Sequence, residues 1–400
     1  MDMKFMFFAN TDWYLYNFRM STALHLKEQG AEVVMLSPPG SFGHRFAEQG
    51  IRWVTLPAMD RASLNPVREA WTLRQVVRVL SEERPDLLHN FTVKCAVYGA
   101  LAARMAGVPA VVNAVAGMGY VFTSDAIMAR TLRPVVKVLM RGTLGTDNSR
   151  LVLQNPDDAH AFVNSRLVPK QNIRLIRSSG VNTFRFAPAE RSQGSTGPLR
   201  VLLAARLVWE KGIREFVDAA ALVKSRGCPM EFLLAGAPDL GNPRSVEQTH
   251  VDEWVTKGLV TWLGHVDDMP ELLRSVDVMA LPSYYREGVP KSLIEGAACG
   301  LALVTTNLPG CREVVSCHGV DGLHATPRDA GSLADLLIGL HEDRALLRRL
   351  GESARRKALS DFDEKIVISR TLEVYDELLG ARSWRLAAGC EQSQPAREAA

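Results

Sequence analysis

The sequence predicts an α/β protein of two doubly wound, parallel-sheet domains, and three observations carry that expectation. Short, almost wholly apolar runs alternate with longer amphipathic stretches along most of the chain, the pattern of buried parallel strands covered by helices on both faces. The alternation pauses after Gln154 and starts again at Leu199. The pause contains Pro188-Ala-Glu-Arg-Ser-Gln-Gly-Ser-Thr-Gly-Pro198, a polar run that cannot build a core and reads as a linker. Residues 1–187 are thus expected to form one domain and 199–362 a second, with a cleft between them.

In the first domain, strands are expected at Met3–Ala9, Ala31–Leu36, Ile51–Leu56, Asp86–His89, Ala110–Ala114 and Leu151–Gln154, with helical stretches between most of them. One such stretch, Ile127 to Leu144, places Arg130, Arg133, Lys137 and Arg141 on one helix face, while Leu132, Val135, Val136, Leu139 and Met140 fill much of the remainder. That pattern suits a helix lying on an anionic membrane surface. It suits equally a packed helix with a solvated basic stripe, and Pro134 is placed to kink it. In the second domain, strands are expected from Leu199 and at Met230–Gly236, Val260–Gly264, Val276–Leu281 and Leu303–Thr305. A last helix should span 363–385, its strong pattern ending near Leu379. Residues 386–400, rich in Ala, Gly, Gln and Pro, offer little to bury and are expected to be disordered.

Composition bounds the function classes. With 47% hydrophobic and 23% charged residues among 400, this is an ordinary globular chain. No run approaches the roughly 20 apolar residues of a membrane helix, and Met6-Phe-Phe-Ala9 is too short for a signal peptide, so a cytoplasmic location is expected. The six cysteines are scattered without C-x-x-C or zinc spacing, which argues against a disulfide framework or a metal site. Asp361-Phe-Asp363 is formally a metal-type D-x-D, but before a helix an aspartate is an ordinary cap. Residues 1–190 carry a formal charge of +7 and the rest −4, which points to an anionic partner for the first half. Nucleic acid is disfavoured, because no reader motif is present.

The chemistry-bearing residues cluster in the second half. Val276-Asp-Val-Met-Ala-Leu-Pro282 reads as a buried strand, so Glu287 belongs to the loop at its carboxyl end, where open α/β sheets bind ligands. In Glu287-Gly-Val-Pro-Lys-Ser-Leu-Ile-Glu295, Pro290 marks a helix start whose following amides, at Lys291, Ser292 and Leu293, can cradle a phosphate. Glu295, just over a turn later, can accept hydrogen bonds from two neighbouring hydroxyls, as a ribose presents. The bland alternative is a helix with a solvated Glu295. A second cluster follows the strand at Leu199: Arg206 and Lys211 bracket a strand-to-helix turn and can close on both phosphates of a diphosphate. Otherwise they are two solvated cations at a helix start that disfavours them.

These two segments, with Leu233-Leu-Ala-Gly236, Gly264-His-Val-Asp-Asp268 and Pro309-Gly-Cys-Arg-Glu313, resemble the retaining glycosyltransferases of family 4, which have the GT-B fold of two Rossmann-like domains facing across a cleft. The resemblance runs to about Leu379 and implies a last helix that crosses back to the first domain. It implies that Glu287 holds donor-sugar hydroxyls, that Glu295 binds ribose and that Arg206 and Lys211 hold the diphosphate. Gly288, Val289, Pro290, Lys291, Ser292 and Leu293 would meet the distal phosphate, with uracil near Gly236 and Val266. The positive charge already present removes the need for a metal, and no cofactor beyond the UDP-sugar donor is expected.

In the first domain the Gly-Gly turn common in the family is replaced by Asn10-Thr-Asp-Trp-Tyr-Leu-Tyr-Asn-Phe-Arg19. With His89-Asn-Phe-Thr-Val-Lys94 and Ala116-Gly117-Met-Gly119, this looks like a bacterial subgroup that uses UDP-N-acetylhexosamines and builds polyprenol-diphosphate-linked saccharides. Asn10, Arg19, His89, Lys94, Gly117 and Gly119 are then acceptor-side candidates, each with a plain core or turn role as its alternative. The Thr-x-His of many members is missing from Val111-Val-Asn-Ala-Val-Ala-Gly117. A retaining reaction tolerates this if the leaving diphosphate itself takes the acceptor's proton. Two rival readings stand beside the transferase: a UDP-N-acetylhexosamine 2-epimerase of the same fold, and a non-catalytic sugar-nucleotide-binding homologue.

Overall fold

The computed structural model describes residues 3–60, 63, 65–116, 127–189, 197–239 and 242–380. Gly117, Gly119, most of the expected linker and the expected disordered tail lie outside these residues. The chain divides into two units, residues 1–176 with 368–400, and residues 177–367.

The first unit is built on a seven-stranded sheet of β1 (Lys4–Phe8), β2 (Glu32–Ser37), β3 (Arg52–Thr55), β4 (Leu87–Phe91), β5 (Ala110–Val115), β6 (Ser149–Leu153) and β7 (Ile173–Leu175). Their order is β3-β2-β1-β4-β5-β6-β7, and every pair is parallel. Both faces of β1 are buried, which is why its sequence is apolar throughout and does not alternate. Met6 and Phe8 enter a core with Val76, Leu80, Cys95, Ala96, Met140 and Leu144 from three covering helices. Phe5 and Phe7 face the other way, against Tyr375, His89 and Phe91.

The second unit carries a six-stranded parallel sheet: β8 (Leu199–Ala204), β9 (Met230–Ala235), β10 (Thr261–Gly264), β11 (Val278–Leu281), β12 (Ala302–Thr306) and β13 (Leu323–Ala325), in the order β10-β9-β8-β11-β12-β13. Along β8, Val201 and Leu203 enter one core and Leu202 and Ala204 the other. β11 divides in the same way, Val278 and Ala280 against Met279 and Leu281. The strands β7 and β13 were not expected from sequence. Each is three residues long and pairs with one neighbour, too little for an apolar run to register.

The first boundary falls before Arg177 and not at 188. The reason is local: the Val181 N–H donates to the Phe362 carbonyl, the Glu364 N–H returns to the Val181 carbonyl, and Arg355 donates to the carbonyls of Thr183 and Phe186. Val181 and Phe186 are buried in the second unit's core. The last helix, Glu364–Leu379, belongs to the first unit from Ile368 onward. Tyr375 stacks on Phe5 with 5.4 Å between ring centroids, and Glu377 receives Arg174 at 2.6 Å and Arg150 at 3.1 Å. Asp363 accepts from the Lys365 N–H at 2.9 Å and from the Thr183 hydroxyl, so it caps this helix.

Candidate active site

The order of the second sheet reverses between β8 and β11, so the chain leaves these neighbours in opposite directions and opens a crevice at their carboxyl ends. The loop from β8 carries Arg206 and a short 3-10 turn, Trp209–Lys211, before the helix Ile213–Ser225. Gly212 makes that turn possible. It has φ +78°, and a Cβ there would stand 2.3 Å from the Pro282 carbonyl oxygen, so Lys211 is held directly against the exit of β11.

The two exits meet through their side chains. Lys211 Nζ lies 2.6 Å from Glu287 Oε1. Ser283 Oγ is 2.9 Å from the same oxygen and 3.0 Å from the Glu210 carbonyl. The Thr306 hydroxyl donates to the Ser283 carbonyl at 2.6 Å, which fixes the loop beneath. Both members of the Lys211–Glu287 pair are largely shielded, so water screens their attraction less than at an open surface. The neighbouring loop locks Glu287 in place: a Cβ at Gly310, φ +85°, would stand 1.5 Å from the Gly288 carbonyl oxygen. Cys311 lies buried next to it. Burial, reinforced by the Glu287 charge, pushes its thiol up to about 12, so it stays protonated and is a filler and not a nucleophile.

The helix Lys291–Ala298 begins one residue after Pro290, and no side chain caps it. Its first turn can therefore present backbone N–H groups and the positive dipole end to a phosphate. Of the residues expected around that phosphate, Val289, just before the helix, and Leu293, in its first turn, have their side chains in the core. Only their backbone is available to a ligand. Glu295 is half-buried, and burial raises its carboxyl above the ordinary range against the pull of Lys291 and Arg185.

Arg206 does not join the Lys211–Glu287 pair. Its guanidinium, 57% exposed, sits 2.6 Å from Asp239, which also accepts from Asn242 at 3.0 Å. Gly236 has a structural role: its N–H donates to Gly264 at 2.7 Å, its carbonyl accepts from the Trp262 indole at 2.8 Å, and its φ of +132° excludes a side chain. Val266 is half-buried and packs on the core. Ser283 and Asp239 were not singled out from sequence, and Gly310 entered only as part of the Pro309–Glu313 motif, since nothing in their spacing marks a contact made only in three dimensions.

The first-unit candidates separate. Lys94 is corrected from an acceptor-side group to a structural tether, because its three donors are directed to Asp60 O, Ser63 O and Glu69 Oε1 at 2.6, 3.2 and 2.9 Å. Asn10 is half-buried just after β1. His89, 3% exposed, has Nδ1 2.6 Å from the Tyr375 hydroxyl, and Arg19, 7% exposed, lies over the Phe91 ring. The basic helix Ile127–Leu144 runs through Pro134 without a break. Its Arg141 is corrected as a membrane contact: the guanidinium donates to the carbonyls of Ser165 and Arg166, both at 2.9 Å. Arg133 and Lys137 are half-buried, and the side chain of Arg130 lies outside the described residues.

Comparison with known proteins gives these features a context. Residues 198–343 match the family described as glycosyl transferases group 1, and residues 18–178 match the glycosyl transferase 4-like domain. The N,N'-diacetylbacillosaminyl-diphospho-undecaprenol alpha-1,3-N-acetylgalactosaminyltransferase of Campylobacter jejuni is 30% identical over 387 residues, covering 94% of this chain and 99% of the relative. The UDP-Gal:alpha-D-GlcNAc-diphosphoundecaprenol alpha-1,3-galactosyltransferase of Escherichia coli is 24% identical, covering 84% of this chain and 86% of its own length. Among solved structures, Anabaena HepE in complex with UDP and glucose aligns with a TM-score of 0.75 at 21% identity over 94% of this chain and 100% of that one. The two parallel-sheet units, the matches on both of them and the full-length relative together make this chain a group 1 glycosyltransferase of the GT-B fold.

Proposed function

We propose that this glycosyltransferase moves a sugar, an N-acetylhexosamine, from a UDP-sugar to a hydroxyl of a saccharide carried on a polyprenol diphosphate, with retention at the anomeric carbon and without a metal. The observation that carries this reading is the Lys211–Glu287 pair at the β8/β11 switch, beside a helix start that no side chain caps. Lys211 and the helix start supply fixed positive charge where the UDP diphosphate departs, and Arg206 can swing from Asp239 to join them. Glu287 faces the sugar hydroxyls and Glu295 the ribose. As the bond from the anomeric carbon to the diphosphate oxygen breaks, the acceptor oxygen attacks from the same face and its proton passes to that departing oxygen. No protein base is then required, in keeping with the lack of a histidine in Val111–Ala116.

The donor and acceptor classes draw support from the relatives' names, which speak of UDP-Gal and of diphospho-undecaprenol acceptors. A peripheral position on the cytoplasmic face of the membrane follows from such an acceptor and from the +7 charge of the first half. No helix among the described residues is long and apolar enough to cross a membrane. With Arg141 tethered, the membrane reading rests on the overall charge of the first half and on Lys137 more than on a four-cation face.

The test is mass spectrometry of products from a panel of UDP-sugars, each incubated with polyprenol-diphosphate saccharides and, in parallel, alone. The expected result is a hexosamine-extended lipid with an α-linkage, formed only when acceptor is present and unaffected by chelator. Conversion of the UDP-sugar without acceptor would make the protein an epimerase, and no turnover despite UDP binding would make it a binding homologue.

A further inference from the structure

The first sheet has its own switch point, between β1 and β4, and the charge there is unbalanced. Arg19 leans back from the second turn of its helix, Asp12–Glu28, toward the carboxyl end of β4, as helical side chains do. Its guanidinium carbon is 4.3 Å from the Phe91 ring centroid, and one nitrogen donates to the Tyr14 hydroxyl at 3.0 Å. No ion pair among the described residues includes it, and its buried Nε has no hydrogen-bond partner. Asp12 on the same helix is engaged by the N–H groups of Trp13 and Phe42. Beside Arg19 stands His89, its ring centroid 4.1 Å from that of Phe91, with a buried Nε2 that also lacks a partner. Burial, and secondarily the Arg19 charge, keep His89 neutral, so it brings no second cation and can offer a donor or an acceptor by choice of tautomer.

The backbone at the same strand end is strained. Thr92, the residue after Phe91, has φ 75°, which is unfavourable for a β-branched side chain, and it opens the helix Val93–Ala106 without a side-chain cap. A cation almost withdrawn from water, with no carboxylate beside it among the described residues, is expensive to keep. An oxygen-rich anion would remove that imbalance, and a guanidinium fork suits phosphate oxygens better than a point charge does.

We propose that Arg19 and His89, at the carboxyl ends of β1 and β4, form a binding site for a phosphate-type anion, which on the reading above is the diphosphate of the lipid-linked acceptor. The site is separate from the donor's diphosphate clamp on the second unit. It makes Arg19 a specificity determinant for acceptors that carry a diphosphate over those that carry a neutral aglycone.

The experiment first saturates the protein with UDP, verified by calorimetry, and then titrates inorganic diphosphate into wild type, Arg19→Met and Arg19→Lys. The same titration on a variant carrying both Arg206→Ala and Lys211→Ala needs no UDP, so absent UDP binding would overturn the donor reading without touching this one. Wild type should bind diphosphate under both conditions, Arg19→Met should bind it roughly 30-fold or more weakly, and Arg19→Lys should fall between. Because the charge is unpaired, ligand-free Arg19→Met should melt no lower than wild type. In transfer assays kcat/KM should drop by a similar factor for diphosphate-linked acceptors and hold for an alkyl glycoside of the same sugar. Should Arg19→Met fail to fold, the wild-type titration and Arg19→Lys carry the test. Absence of diphosphate binding to wild type, equal binding by the Arg19 variants, or a lower melting temperature for ligand-free Arg19→Met would overturn the proposal and leave Arg19 a structural cation.

Discussion

At the β8/β11 switch a lysine ammonium rests 2.6 Å from a carboxylate, whereas at the β1/β4 switch an arginine rests over a phenylalanine ring with no carboxylate among its partners. Both cations follow the first strand of a doubly wound sheet and both are shielded, yet among the described residues only one is paired with a carboxylate. On the proposed reading a paired lysine can be shared: Glu287 holds it in place, and it can turn toward an arriving diphosphate without bare charge being exposed. An unpaired arginine is poised but costly, and that cost makes sense if an anion regularly occupies the position.

Breaking the paired switch should have the largest consequence. Glu287→Gln removes the carboxylate proposed to face the sugar and breaks its pairing with Lys211, so transfer should fall by roughly a thousandfold or more. UDP affinity by calorimetry should stay level or rise, and turnover within a few fold of wild type would remove Glu287 from the chemistry. Next comes Lys211→Ala, with an expected loss of about 2 to 4 kcal/mol of transition-state stabilisation, roughly 30-fold to thousandfold in rate. Arg206→Ala should lie at the low end of that range, because the guanidinium is exposed and must leave Asp239 before it can act. Equal, near-normal rates in the two variants would dissolve the clamp.

A fourth substitution probes the scaffold beneath the pair. Gly310→Ala forces a Cβ onto the Gly288 carbonyl in a left-handed conformation, and should cost about 2 kcal/mol or more in stability, read by thermal melting, with a parallel loss of activity. A variant as stable as wild type would mean that the loop yields easily and does not fix Glu287.

The smallest effect concerns Glu295, whose raised pKa has a definite sign. The folded carboxyl holds its proton to a higher pH than the unfolded one, so the folded state binds more protons between the two values and stability falls as pH rises across that window. Above the window the cost is constant. Glu295→Gln should therefore melt like wild type in acid and slightly higher at neutral pH, while binding UDP more weakly than wild type. A melting difference that grows toward acid would reverse the assignment.

The sequence made the strands legible because burial on both faces removes charge from them, and β8 and β11 are the plainest cases. It also placed Lys211 and Glu287 in the loops leaving two strands, and their 2.6 Å contact was not part of that reading. Lys94 and Arg19 show where that reasoning stops. Both are cations near the exit of a strand, and nothing in their local sequence separates them. One meets Glu69 and two carbonyls of the loop before that helix, while among the described residues the other meets only aromatic rings and a phenol. The difference lies in contacts with residues 25 or more positions away, which spacing does not encode. Gly310 was legible as part of a motif, and its close approach to Gly288 was not.

The hydrogen-bonded crossing of Val181 with Phe362 and Glu364 has a consequence for synthesis. Residues 177–367 are inserted into the first unit, with their two ends tied side by side. During translation the first unit waits for its last helix while the whole insertion is made, which at 5–20 residues per second takes on the order of ten to forty seconds. Throughout that interval Phe5 and His89 lack the cover of Tyr375, and their apolar face is open to chaperones or to other nascent chains. The second unit, which already holds both of its own ends, has no such wait and can fold while the first is still incomplete.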